Sequence, residues 1–203
     1  IPEAFKTLDI RSFRLDVYRN EGSRKAIANT CAAIKYYLDN LEGMRKDGMG
    51  LYLYSGTKGS GKTRMAASIA NEMVRTYRMQ VKFAGSMQII NEIKATWDDK
   101  DRSESDLLRA LSTVQVLVID DFGTELPKDW IGERFYSIIN GRYQDKLITI
   151  YTSNLCLQDL RYDDRITNRI KERTFQLPFP EESVRDLIAE QNRKALIDGM
   201  RGR

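Results

Sequence analysis

Residues 51–67, LYLYSGTKGSGKTRMAA, constrain this chain more than any other stretch. Residues 51–55 read as a buried strand. Gly56-Thr57-Lys58-Gly59-Ser60-Gly61-Lys62-Thr63 follows, and Arg64-Met65-Ala66-Ala67 opens a run of good helix formers. This is G-x-x-x-x-G-K-[ST] between a strand and a helix, the context in which the pattern makes a phosphate cradle. The three glycines let the backbone turn through positive φ, so that successive N–H groups face inward on an anion. A helix beginning near Lys62 adds the positive end of its dipole to the same anion. Lys62 then reaches the β- and γ-phosphates of a nucleotide, and the Thr63 hydroxyl is placed to ligate Mg²⁺.

The rest of the chain supplies the sheet that such a loop requires. Residues 1–20 read as a partly extended lead-in that packs Phe5, Leu8 and Phe13 on the domain. Apolar residues at helical spacing predict a helix over 23–41, with Ser23 as its N-cap, and residues 43–50 read as a loop. A helix over 62–77 is expected to turn Met65, Ile69, Met73 and Val74 inward. Further strands are expected at 81–84, 116–119, 147–152 and 175–178, and further helices at 87–97, 106–111, 128–144, 157–171 and 181–197. Alternation of strand and helix predicts an α/β fold, a parallel sheet with helices on both faces.

Val116-Leu117-Val118-Ile119 is wholly apolar and ends in Asp120-Asp121, 57 positions beyond Thr63. Ligands of open α/β sheets bind outside the carboxyl ends of the strands. Asp120 there can hold Mg²⁺ opposite the Thr63 hydroxyl, and Asp121 can polarise the attacking water. Glu125, four residues on, is the competing base.

Strand-GTKGSGKT, VLVIDDFG, IYTSNL and RITNRI, in this order and spacing, resemble an AAA+ ATPase, and IPEAF, IDDFGTE, FYSIINGRY and TSN resemble bacterial replicative helicase loaders of the DnaC/DnaI type. The resemblance covers nearly the whole chain to about Arg193. It implies a three-layer P-loop NTPase of the ASCE type, with five parallel strands in the order 5-1-4-3-2 and little or no C-terminal lid domain. Residues 1–22 are then a lead-in and 23–203 the AAA+ domain, with a helicase-binding domain expected upstream of a chain that opens on Ile1-Pro2. By the same resemblance Asn154 is the sensor-1 amide that orients water against the γ-phosphate. Arg169, with Arg165 as runner-up, is the finger offered to a neighbour's site, and Arg185 is a sensor-2 arginine, unless it pairs with the acids beside it. Arg64 and residues 56–63 complete the nucleotide-binding set.

The implied function is an ATP- and Mg²⁺-dependent loader that self-associates through the arginine finger and places a hexameric replicative helicase on single-stranded DNA. Most AAA+ chains carry Asp-Glu where this one has Asp-Asp, which keeps open a nucleotide-gated module that hydrolyses slowly. An IstB-like transposition helper ATPase shares the P-loop, the acidic strand end and the TSN tripeptide. Residues 87–113 lie where loaders carry a DNA-contacting insertion, but Lys94, Lys100, Arg102 and Arg109 are offset by Asp98, Asp99, Asp101, Glu104 and Asp106, so the segment reads as a solvated loop. The net charge of +4 fits nucleic acid without demanding it. With no histidine and two isolated cysteines, a zinc site or a His-based triad within the chain is excluded. No apolar run approaches a membrane-spanning length and no signal peptide is visible, so a cytoplasmic protein without membrane contact is expected.

Overall fold

The computed structural model describes residues 1–98, 103–125 and 128–201. Five parallel strands, β1 (Gly50–Tyr54), β2 (Val81–Gly85), β3 (Val116–Asp120), β4 (Ile148–Ser153) and β5 (Thr174–Pro178), pair in the order β2-β3-β4-β1-β5. This is the expected 5-1-4-3-2 sheet read from its other edge. Side chains of successive strand residues point to opposite faces, and both faces are buried. Leu51, Leu53, Val116, Val118, Ile148 and Ile150 join one core with Tyr18, Ile27, Ile34, Met65 and Ile69. Tyr52, Leu117, Ile119 and Tyr151 join the other with Ile89, Phe135, Ile138 and Ile166.

Two helices precede the sheet: α1 (Glu21–Asp39) and α2 (Leu41–Asp47). The first starts earlier than expected because Asn20 caps it, its side chain accepting from Gly22 N, and Ser23 lies inside the helix. The second occupies a stretch read from sequence as loop. Leu41 buries its first turn, and Gly48, at φ 66°, ends it where a Cβ would lie 2.6 Å from the Lys146 Cα. The lead-in is two short 3-10 turns, at Glu3–Phe5 and Ile10–Ser12, with Asn71 Nδ2 donating to Phe5 O and Leu8 O at 2.7 and 2.9 Å.

Then come α3 (Lys62–Arg75), α4 (Ser86–Asp98), α5 (Glu104–Thr113), α6 (Asp129–Gln144), α7 (Asp164–Arg173) and α8 (Arg185–Arg201). In α3 Met65, Ile69 and Met73 face inward as expected, but Val74 does not; it is 40 % exposed. The helix predicted over 157–171 is a 3-10 turn at Leu157–Asp159 followed by α7, whose N-cap Asp163 accepts from Arg165 N. Helix α8 begins four residues later than predicted, because Glu181 and Glu182 accept hydrogen bonds from other segments instead. The basic and acidic residues at 99–102 lie outside the described residues.

Buried Arg142 of α6 fastens this frame behind the site. Its guanidinium donates to Thr149 Oγ1 (2.8 Å), Leu111 O (2.9 Å), Val114 O (2.8 Å) and Ile148 O (2.6 Å), joining α5, the turn into β3 and the start of β4. Burial pushes its pKa down to about 10.

Candidate active site

The loop between β1 and α3 curls as the sequence demands, although positive φ falls on two glycines and not three. Gly59 has φ 82° and Gly61 φ 97°, while Gly56 is not in that region. The two left-handed glycines also sit under close packing: a Cβ on Gly59 would lie 2.9 Å from Arg185 Cδ, and one on Gly61 3.0 Å from the Tyr18 hydroxyl. That hydroxyl donates to Ser60 O at 2.7 Å, so the lead-in braces the back of the loop.

Lys62 is buried, and its ammonium donates to Ser55 O (3.1 Å), Thr57 O (3.0 Å) and Ser60 Oγ (3.3 Å). Burial lowers its pKa, opposed by the nearby charges of Asp121, Glu181 and Asp120. Only neutral oxygens hold the ammonium, which leaves a desolvated positive charge at the mouth of the loop to meet an anion.

The acid pair arrives from β3. Asp120 Oδ1 accepts from Thr63 Oγ1 at 2.8 Å and from Thr152 Oγ1 at 2.6 Å. Burial raises the Asp120 pKa against these two hydrogen bonds. Asp121 has φ 53°, a left-handed conformation that costs a non-glycine residue free energy and is over-determined by its surroundings. Here Asp121 N donates to Thr152 Oγ1 (2.9 Å), Phe122 N donates to Thr152 O (2.8 Å), and Asp121 O accepts from Ser86 Oγ (3.0 Å) and Thr124 Oγ1 (2.8 Å). Thr152 therefore shapes both aspartates. Reading the TSN tripeptide for Asn154 alone misses it; the signal is the β3–β4 register, which pairs Ile119 with Tyr151 and so sets Asp120 beside Thr152.

Ten of the residues singled out from sequence line one open cleft of about 570 Å³: Lys58, Gly59, Ser60, Gly61, Lys62, Thr63, Arg64, Asp121, Asn154 and Arg185. Asp120 joins it through Thr63. Gly56 and Thr57 lie on the outer rim, where both backbone N–H groups donate to Glu181. Glu125 is turned elsewhere: it is 7 % exposed and accepts from Ser86 Oγ, Gly123 N and the Tyr162 hydroxyl. Arg165 and Arg169 are also apart from the cleft, on α7. Arg169 is committed within the chain, donating to Asn140 Oδ1 (2.8 Å) and Arg165 O (2.8 Å) and lying 5.0 Å over the Tyr136 ring. Arg165 is exposed, paired with Asp163 and 4.8 Å from the ring of α6's Tyr136, beside a second cleft of about 420 Å³.

The donor set fits a nucleoside triphosphate with a hard divalent cation. Thr63 Oγ1 and Asp120 Oδ1 offer two oxygens 2.8 Å apart, and Mg²⁺ favours few protein oxygens plus phosphate and water.

A P-loop on β1, an acidic pair on β3, and one strand inserted between them define the ASCE form of the P-loop NTPases. The chain belongs to the IstB-like ATP-binding protein family, whose model matches residues 47–185. It is 30 % identical over 181 residues to the phage-like element PBSX protein XkdC of Bacillus subtilis strain 168, covering 85 % of this chain and 64 % of that one. It is 32 % identical over 117 residues to the replicative helicase loader DnaI of the same organism, covering 57 % and 36 % respectively. The chain thus spans less than two thirds of the length of these curated relatives. A crystal structure of the DnaC helicase loader superimposes with a TM-score of 0.74 at 22 % identity, over 88 % of this chain and all of that one, a likeness of fold. Among the described residues no helix is long and apolar enough to cross a membrane.

Proposed function

We propose that this ATPase is the motor of a helicase loader in DNA replication, acting in the cytoplasm. It binds ATP with Mg²⁺, assembles with neighbouring copies, and delivers a hexameric replicative helicase onto single-stranded DNA. The observation that carries the nucleotide chemistry is the convergence of Lys62, Thr63, Asp121, Asn154 and Arg185 on one cleft, with Asp120 behind Thr63. When bound, Mg²⁺ would be held by Thr63 and Asp120 and would neutralise charge on the β- and γ-phosphates. Asp121, exposed at the cleft, takes the water-polarising role in preference to Glu125, whose carboxylate is buried and engaged. Asn154 orients that water, and Arg185 faces the phosphates in cis. For the neighbour's site we place Arg165 ahead of Arg169, since Arg165 has the exposed guanidinium and Arg169 is tied to Asn140. The similarity to DnaI supports the loader reading.

The domain division follows the same reading: residues 1–22 are the lead-in, 23–203 the ATPase domain, and the helicase is met by a region upstream. The test is a pull-down of the full-length protein against a hexameric replicative helicase, with and without ATP. Nucleotide-sensitive capture is expected; no capture in either condition removes the loader assignment. The family match favours one other reading, an IstB-like transposition helper ATPase, for which transposase and not helicase would be retained. The Asp-Asp pair supports slow hydrolysis under either.

A further inference from the structure

Residues 179–185 run along the outer rim of the phosphate loop and are bonded to the end of β1 and to the loop at several points. Phe179 N donates to Tyr54 O at 2.7 Å, Ser55 Oγ donates to Pro180 O at 3.0 Å, and Val184 N donates to Gly59 O at 3.1 Å. Between these fixed points the Glu181 carboxylate takes three donors from the loop. Its Oε1 accepts from Gly56 N (2.8 Å), and its Oε2 accepts from Thr57 N (2.8 Å) and Thr57 Oγ1 (2.8 Å). Burial alone would raise the Glu181 pKa, but the Thr57 hydroxyl and the Gly56 and Thr57 amides outweigh it and hold the carboxyl below the usual range.

We infer that Glu181 is a positioning residue for nucleotide binding, a built-in carboxylate that sets the first turn of the phosphate loop and thereby the place of Lys62. The link is short. Glu181 fixes the peptide units around Thr57, and Thr57 O and Ser55 O are the backbone oxygens that hold Lys62 Nζ. With the first two amides occupied by Glu181, an incoming triphosphate meets the N–H groups from Lys58 onward, the part of the loop that lines the cleft. The same short segment carries Arg185, whose aliphatic chain packs where a Cβ on Gly59 would sit, so one clip sets the loop and delivers the arginine. The neighbouring Glu182 faces the other way, accepting from Arg19 N (2.6 Å) and Asn20 N (3.3 Å), so consecutive acids fasten the phosphate loop and the cap of α1 to the start of α8.

The inference rests on the cleft being the ATP site, and the experiment separates the two. ATP affinity and steady-state turnover are measured with Mg²⁺ for the wild-type chain, Lys62→Ala, Glu181→Ala and Glu181→Gln. Wild-type protein that binds no ATP sinks the site itself. If wild type binds and Lys62→Ala does not, the comparison turns on Glu181. Glu181→Ala is expected to weaken ATP affinity and raise KM about three- to tenfold with kcat unchanged, the exposed position limiting the effect. Glu181→Gln, which keeps an acceptor oxygen, is expected to lose less. An unchanged KM in Glu181→Ala, even with lowered thermal stability, overturns the positioning role. Tighter ATP binding in both variants also overturns it, since Glu181 would then be a competing anion. If Glu181→Ala does not fold, Thr57→Val deletes one of the three donors and carries the same test. About a twofold rise in KM is expected there, and none overturns the inference.

Discussion

Thr152 has the most leverage for its size. One hydroxyl donates to Asp120 Oδ1 and accepts from Asp121 N, so it shapes the Asp120 carboxylate and the strained backbone beside it. Thr152→Val keeps the volume and removes both hydrogen bonds. We expect turnover to fall about 10- to 100-fold, the range for outer-shell groups that orient ligands, with ATP affinity nearly unchanged because the phosphate-facing amides are untouched. Single-turnover hydrolysis against equilibrium ATP binding checks this, and an equal loss in both would show that the threonine acts on the loop. Lys62, Thr63, Asp120 and Asp121 were legible from the sequence because their chemistry sits in short, fixed spacings. Thr152 and Glu181 were not, because their partners are 31–32 and 124–125 residues away in the chain. Nothing in a window around either residue distinguishes it from an ordinary strand threonine or a helix-start acid.

At the scale of elements, the most revealing piece is α6. From sequence its FYSIINGRY stretch reads as a helix with an apolar side, and Ile131, Phe135, Ile138 and Ile139 are indeed buried. Its arginine is not the solvated charge that an average surface helix would present, because the carbonyls of Leu111, Val114 and Ile148 and the Thr149 hydroxyl all converge on it. Arg142→Met would leave those acceptors unpaired in the interior. A loss of about 3–4 kcal/mol is expected, measured by urea unfolding. Arg142→Lys should recover little, since an ammonium cannot reproduce the planar fork. Two of the element boundaries missed from sequence share one cause. The α2 turn closed by Gly48 against Lys146 and the late start of α8 are each set by contacts with distant segments, of which local propensity carries no record. The Asn20 cap, by contrast, is a local bond to Gly22 N that competes with the Ser23 signal three residues on.

For the whole molecule, α7 lies on a different face from the cleft, and its arginines stack with the tyrosines of α6 in the sequence Arg165, Tyr136, Arg169, Tyr143, Arg173 at 4.8–5.5 Å. Arg165, at the exposed end, is the group proposed above for a neighbour's site. If it completes the neighbour's site, Arg165→Ala and Lys62→Ala proteins, each inactive alone, should regain part of the activity when mixed, because some interfaces then pair an intact P-loop with an intact arginine. Arg169→Ala protein keeps Arg165 and is expected to retain part of its activity alone, so the same mixture gains less. Recovery with Arg169→Ala alone would reverse the assignment.

The sequence by itself determined the phosphate loop, the acidic strand end and the parallel α/β sheet. Each of these is written in a local pattern: a glycine-rich turn between strand and helix, an apolar run ending in acid, and an alternation of periods that physical chemistry reads one way. The tertiary structure alone decided which side chains hold those groups in working geometry. It set Thr152 between two aspartates, buried Glu125 away from the cleft, tied Arg169 to α6 and brought Glu181 onto the loop. The reason is that strand pairing and helix packing bring together residues far apart in the chain, and a hydrogen bond between such residues leaves no trace in the residues adjacent to either.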